Sequence, residues 1–112
     1  RPGKTLAPFT SPPAISWRLW MLDLRFTNQF KKDYKLAQKR GYDLSEFEAI
    51  VNKLRNREEL DPKYKDHQLS NNWKNHRDFH LHPDLVVIYR IQENELILEM
   101  VRMGTHSDLF KK

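Results

Sequence analysis

Residues 85–91, LVVIYRI, decide the fold, because β-branched and aromatic side chains follow one another there with one charged residue among them. A run of this composition is typical of a strand at the centre of a sheet. The residues after it, Gln92-Glu93-Asn94, predict a short hairpin loop, and residues 95–102 predict the next strand. Gly104 ends that pattern, and a short turn or helix is expected to end at Phe110.

The residues before this run also have the pattern of a strand. Residues 73–81 alternate between apolar and polar side chains, so the two kinds point to opposite faces. The sequence His82-Pro83-Asp84 predicts a turn into the central strand. One face of the alternating segment carries Phe79 and Leu81, and the other carries Asp78, His80 and His82.

The first half of the domain predicts one strand and two helices. Residues 21–26 alternate like a half-buried strand, and residues 27–28, Thr-Asn, can cap the helix that follows. Gly41 suits the end of this helix, and Ser45 with Glu48 predicts a capping box at the start of the second. The core-facing residues of the two helices are Phe30, Tyr34 and Ala37, then Phe47, Ile50, Val51 and Leu54.

The resulting order of elements is β-α-α-β-β-β. It predicts an α+β protein in which a two-helix hairpin packs on one face of an antiparallel-rich sheet. The patterned domain is expected to span residues 21–112. Residues 1–20 contain four prolines and no helical or strand period, so we expect an irregular extension, derived from upstream sequence or from cloning.

Composition limits the possible functions. The chain has no cysteine, which excludes disulfides and zinc–thiolate sites and fits a reducing compartment such as the cytoplasm. No apolar run approaches the roughly 20 residues that span a bilayer, so no membrane partner is expected. The net charge is +5. Lys31, Lys35 and Lys39 are spaced by four and share one helix face, which suits either a phosphate-binding stripe or an ordinary solvated face.

Side chains suited to acid–base chemistry collect in residues 64–67, 77–84 and 102–106. Cleaving RNA without a metal needs a base for the ribose 2′-hydroxyl, an acid for the departing 5′-oxygen and a cation for the phosphoryl charge. Histidine suits both proton roles, since its pKa is ordinarily about 6.5. Taken singly, however, each histidine is more often a surface or structural residue. His80 and His82 could form a metal pair, but there is no second closely spaced pair, so no metal or other cofactor is expected.

Several blocks together resemble the YafQ-type mRNA interferases, which are toxins of the RelE/ParE superfamily. The resemblance runs from about Met21 to Phe110. It is carried by YKDHQL at 64–69, NWK at 72–74, RDFH at 77–80, PDL at 83–85, IY at 88–89 and RMGTHSDLF at 102–110.

The resemblance implies a RelE-like fold and a toxin that cuts mRNA in the ribosomal A site until a cognate antitoxin silences it. It places proton transfer or substrate orientation on His67, His80, Asp84 and His106, with His106 as the leading acid or base. Asp84 could instead hold a histidine in its useful tautomer. Arg102 would bind the scissile phosphate, and Phe110 would stack on a base. Some relatives have tryptophan where this chain has Leu85.

Two alternatives remain open at this point. A ParE-like inhibitor of DNA gyrase would share the superfamily but would not need His67, His80 and His106. A non-catalytic module that binds RNA or the antitoxin could carry all these residues in an unproductive geometry. In each case the basic first helix and the exposed sheet should attract an acidic partner segment.

Overall fold

The computed structural model describes residues 21–110, which form a five-stranded sheet with helices. The strands are β1 (Asp23–Phe26), β2 (His67–Gln68), β3 (Arg77–His82), β4 (Leu85–Gln92) and β5 (Ile97–Gly104). The order across the sheet is β1-β5-β4-β3-β2, in which β1 runs parallel to β5 and the other neighbours are antiparallel. The predicted central strand is therefore β4. The extension expected at residues 1–20 lies outside the described residues.

Helices α1 (Asn28–Lys39) and α2 (Phe47–Arg55) share a core with one face of the sheet, and the short helix α3 (His106–Leu109) follows β5. Thr27 begins α1, because its hydroxyl oxygen accepts a hydrogen bond of 2.9 Å from the amide of Phe30. The same hydroxyl donates to the carbonyl of Val101 on β5, at 2.8 Å, and so ties the helix start to the sheet. The predicted α+β class with two helices on one face is confirmed. Within residues 21–110, no helix has the length and apolar character needed to cross a bilayer.

The opposite face of the central strand is covered as well. Val86 and Ile88 on β4 are fully buried, and Leu109 of α3 packs against them. A strand covered on both faces has no exposed row of side chains, which explains its almost continuous apolar sequence. The half-buried residues around this smaller cluster are Leu69, Trp73, Val101 and Phe110.

The predicted capping box of the second helix is wrong. The helix begins at Phe47, and its N-cap residue, Glu46, makes no capping hydrogen bond. The backbone amide of Ser45 instead donates to the carboxylate of Asp43, at 2.9 Å. This local turn competes with the capping arrangement that pairs Ser45 with Glu48.

Several strand boundaries also differ from the prediction, among them the start of β1, which lies at Asp23 and not at residue 21. The strand β3 starts at Arg77, because Asn71–Trp73 form a 3₁₀ turn and Asn75 takes a φ of 68°, which no strand contains. The strand β5 starts at Ile97, since Leu96 has a φ of 55°. The edge strand β2 is only two residues long, too short to show a period in the sequence.

Candidate active site

Three histidines form a row across the sheet. His67 lies on β2, His80 on β3 and His106 at the start of α3. The ring centroid of His80 is 6.5 Å from that of His67 and 5.8 Å from that of His106. Phe110 continues the row, with its ring centroid 5.0 Å from that of His106. The structure thus brings together four of the predicted site residues, which come from three separate sequence blocks.

The register of the sheet produces this row. Val86 on the central strand pairs with His80 on one side and with Gly104 on the other. His106 follows Gly104 by two residues and therefore lies beside His80. His67 pairs with Asp78, which precedes His80 by two residues and so shares its face of β3.

The start of α3 is fixed by a capping box. The hydroxyl of Thr105 accepts a hydrogen bond from the amide of Asp108, and the Asp108 carboxylate accepts one from the amide of Thr105, both at 3.2 Å. The preceding residue, Gly104, leaves room for this turn. A Cβ at position 104 would lie 3.0 Å from the Cβ of Asp108, so a larger residue would push α3 away from the strand and move His106.

The ring of His67 is held in one tautomer. Its Nδ1 lies 2.8 Å from the carbonyl oxygen of Lys65 and 3.1 Å from Oδ1 of Asp78. Both neighbours can only accept when the carboxylate is ionised, so Nδ1 carries a hydrogen and Nε2 is the nitrogen that can exchange a proton with substrate. Lys65 itself takes a left-handed φ of 52°.

Asp78 is the residue at this site that sequence reasoning missed. It is only 1% exposed, and burial raises its pKa above the ordinary value, although the imidazoles of His67, His80 and His106 act in the opposite direction. The alternation of residues 73–81 placed it on the same face as His80, which was the only signal available. The sequence could not show that this face would be covered at Asp78.

Arg102 is bound to an acidic residue of α1. Its Nε donates to Oδ2 of Asp33 at 2.8 Å, and its Nη2 lies 3.3 Å from Oδ1. Asp33 is 7% exposed and also accepts the amide of Met103, at 3.0 Å. The Nε–Nη2 edge of the guanidinium, which was expected to bind a phosphate, therefore faces Asp33. Together the two residues line a cavity of about 510 Å³ that also contains Arg40 and Asp108.

Asp84 is also bound away from the histidines. Its Oδ2 accepts a hydrogen bond of 2.8 Å from the hydroxyl of Tyr42, which raises the pKa of that tyrosine. Over the described chain, neither Asp84 nor Arg102 has a hydrogen bond or ion pair with His67, His80 or His106. The contact by which Asp84 would hold a histidine in its tautomer is therefore not made. At His67 that contact comes from Lys65.

Comparisons with known proteins identify the family of this chain. The family described as "Bacterial toxin of type II toxin-antitoxin system, YafQ" matches residues 22–111. The chain belongs to this family. It is 40% identical over 89 residues to the mRNA interferase toxin YafQ of Escherichia coli BL21-DE3, covering 79% of this chain and 95% of the relative. It is 34% identical over 91 residues to the putative toxin YafQ of Haemophilus influenzae, covering 77% of this chain and 89% of the relative.

Solved structures show the same relationship. A metal-bound toxin from Helicobacter pylori superposes with a TM-score of 0.76 at 42% identity, covering 80% of this chain and all of that one. The toxin in the E. coli DinJ–YafQ complex gives a TM-score of 0.71 at 40% identity, covering 80% of this chain and 98% of that one.

The lysines of this YafQ-family toxin lie apart from the histidine row. Lys31, Lys35 and Lys39 are on α1, on the sheet face that carries Phe79, whereas His80 points to the other face. Lys31 and Lys35 border an apolar cavity of about 460 Å³ between the helices. These lysines therefore lie on a different face of the sheet from the histidine row.

The other polar residues of the toxin do not extend the row into a metal centre. His76 is hydrogen-bonded to the carbonyl of Lys74, and His82 at the end of β3 is hydrogen-bonded to that of Asp43. From residue 21 to residue 110, no three His, Cys, Asp or Glu side chains are grouped so that they could hold a metal ion.

We expect Asp33→Asn to lower the free energy of unfolding by about 2 kcal/mol, because it removes the charge that both Arg102 and the Met103 amide bind in a buried position. Urea unfolding measures this loss. The control is Glu93→Gln, which neutralises the carboxylate of an exposed ion pair with Arg57 and should change stability little. Equal losses in the two variants would contradict a special role for Asp33.

Proposed function

We propose that this toxin is a ribosome-dependent endoribonuclease that cuts mRNA in the A site by metal-free acid–base catalysis. The observation that carries the proposal is the row His67–His80–His106, which ends on an aromatic ring. Support also comes from sequence similarity, because two relatives at 39–40% identity are named mRNA interferase toxins. The proposal places the enzyme in the cytoplasm, where ribosomes translate.

The row matches the needs of phosphodiester cleavage. In an in-line displacement the attacking 2′-oxygen and the departing 5′-oxygen lie on opposite sides of the phosphorus. A base and an acid are therefore needed on two sides of one phosphate. His67 and His106 flank His80 at the two ends of the histidine row, so they can serve as this pair, with the phosphate bound against the His80 ring between them. A protonated His80 would stabilise negative charge on the phosphoryl oxygens.

Phe110 and Arg102 would complete the site. Phe110 lies beyond His106 and is half-buried, so one part of its ring anchors it while the rest can stack on a base. The Nε–Nη2 edge of Arg102 is free for a phosphate only if it leaves Asp33, and one oxygen of Asp84 already accepts a hydrogen bond from Tyr42. We therefore assign the leading roles to the imidazoles and supporting roles to Arg102 and Asp84.

The partners follow from the same proposal. The structure of the E. coli relative has been solved in complex with the antitoxin DinJ. By similarity to that complex, we propose a cognate antitoxin for this toxin. A gyrase inhibitor would not need the histidine row, which counts against the ParE-like alternative. A non-catalytic module could still contain it, and the next experiment separates that case.

We expect His106→Ala to slow mRNA cleavage by about 10²–10⁴-fold, because it removes a positioned proton-transfer group. Fold and ribosome binding should be retained, since His106 is exposed. Primer extension on ribosome-bound mRNA measures the cleavage. The matched control is His76→Ala, which removes a histidine outside the row and should cleave like the wild type. Cleavage by His106→Ala at the wild-type rate would disprove its role, and intact RNA with the wild-type protein would disprove the enzyme.

Metal independence has its own test, made necessary by a relative that is described as copper-bound. We expect cleavage to persist when a chelator selective for copper and zinc is added, with magnesium kept in excess so that the ribosome stays intact. Since imidazoles perform both proton transfers, no metal is required. Loss of cleavage that copper or zinc restores would contradict the metal-free mechanism.

Ribosome binding should depend on the lysine stripe. We expect Lys35→Glu to weaken ribosome binding and to reduce the slope of log affinity against log salt by about 1, as for the loss of a phosphate contact. Single-turnover cleavage of bound mRNA should be unchanged, because Lys35 lies across the sheet from His80. Lys53→Glu, on the exposed side of α2, is the matched charge reversal. If both variants weakened ribosome binding equally, the effect would come from net charge and not from the position of the lysines on α1.

A further inference from the structure

The carboxylate of Asp78 has no role in the chemistry derived so far. The residue is 1% exposed, and among residues 21–110 nothing donates a hydrogen bond to its Oδ1. Burying an ionised carboxylate without full hydrogen bonding is unfavourable, because the charge loses its water. Groups close to Asp78 must therefore offset the cost of burying its charge.

Those neighbours are mostly groups that can become positive. Nδ1 of His67 on β2 lies 3.1 Å from Oδ1 of Asp78, His80 follows two residues later on the same strand face, and His106 of α3 also acts on the carboxylate. The acidic neighbour is Asp66, just before β2. Three imidazoles therefore share one buried negative charge, and His67 is in direct contact with it.

Asp66 shows what a structural carboxylate looks like in this chain. Its Oδ1 accepts hydrogen bonds from the hydroxyl of Tyr89 at 2.6 Å and from Nε of Arg77 at 3.2 Å. Within residues 21–110, Asp78 has no such donors at Oδ1. At Oδ1, Asp78 instead places a negative charge next to the ring of His67.

The two neighbours of His67 Nδ1 have different effects. The carbonyl of Lys65 receives the hydrogen bond, at 2.8 Å, and a neutral carbonyl accepts this bond whether or not the ring is charged. Asp78 receives no hydrogen bond from this nitrogen, so its attraction is mainly coulombic. That attraction becomes strong only when the ring is positive.

We propose that Asp78 is a positioning residue that stabilises the imidazolium form of His67 during cleavage. If His67 is the base, the proton of the 2′-hydroxyl moves to its Nε2 and the ring becomes positive. If it is the acid, the ring begins positive and passes that proton to the 5′-oxygen. In both cases Asp78 favours the charged state. This inference rests on the proposed function.

The test begins with Asp78→Asn, which keeps the shape and removes the charge, and with Asp23→Asn on the distant strand β1 as its control. We expect single-turnover cleavage to fall about 10- to 100-fold, with ribosome affinity unchanged. The free energy of unfolding at neutral pH should stay the same or rise, because a buried charge has been removed. A residue that is merely structural would lower stability together with activity, and that result would overturn the proposal.

The stability gain has a definite pH dependence. Burial raises the pKa of Asp78 in the folded protein, so its ionised form destabilises the fold above that pKa and the protonated form does not below it. Any gain in Asp78→Asn should therefore be present at neutral pH and disappear as the pH falls through the titration of Asp78.

Two further measurements isolate the coupling to His67. In a His67→Ala background, adding Asp78→Asn should slow cleavage no further, whereas a second full loss would overturn the proposal. In the resting toxin without RNA, the NMR titration midpoint of His67 should move to lower pH in Asp78→Asn, by more than those of His80 and His106. An unchanged midpoint would also overturn it. Since this titration needs no RNA cleavage, it decides the role of Asp78 even if the wild-type protein proves inactive.

Discussion

The burial of β4 between two cores is the constraint on which the site depends. Leu85, Val87 and Tyr89 face the helices, while Val86 and Ile88 face α3 and the residues around it. All five are at most 1% exposed. A shift of one residue in register would move the side chains of each core to the opposite face of the sheet. The burial of both faces therefore fixes the pairing of Val86 with both neighbouring strands. That pairing in turn places the second and third histidines of the row side by side.

The electrostatics of the site come from groups that can change their charge. The chain carries a net charge of +5, yet Arg102 is paired with Asp33, Arg40 with Asp108 and Arg77 with Asp66. The groups around Asp78 are instead imidazoles, a type of side chain that can exchange protons near neutral pH. Such an arrangement suits proton transfer better than the fixed binding of an anion.

The sequence predicted what local pattern and motif can specify. The apolar run of β4, the helix stripes and the start of α1 at Thr27 all follow from short-range rules, and the histidine row followed from family motifs. The partners of Arg102 and Asp84 could not be predicted, because Asp33 and Tyr42 are 69 and 42 residues away along the chain. The capping box predicted for α2 is not formed, because Asp43 accepts a hydrogen bond from the amide of Ser45 in the same short segment. Asp78 looked like an ordinary polar strand residue until β2 and α3 were in place.

The pairing of Arg102 with Asp33 can be reconciled with a role in binding phosphate. Asp33 has other donors, since Gln29 lies 2.9 Å from Oδ1 and the amide of Met103 lies 3.0 Å from Oδ2. If Arg102 turned toward an RNA phosphate, the carboxylate would keep a donor on each oxygen and would not be left unsatisfied. The guanidinium would exchange one bidentate anion for another, so the change in hydrogen bonding would be small. The ion pair therefore holds Arg102 in an ordered place beside α3 without preventing its movement, whereas the register of β4 fixes the histidines where they are.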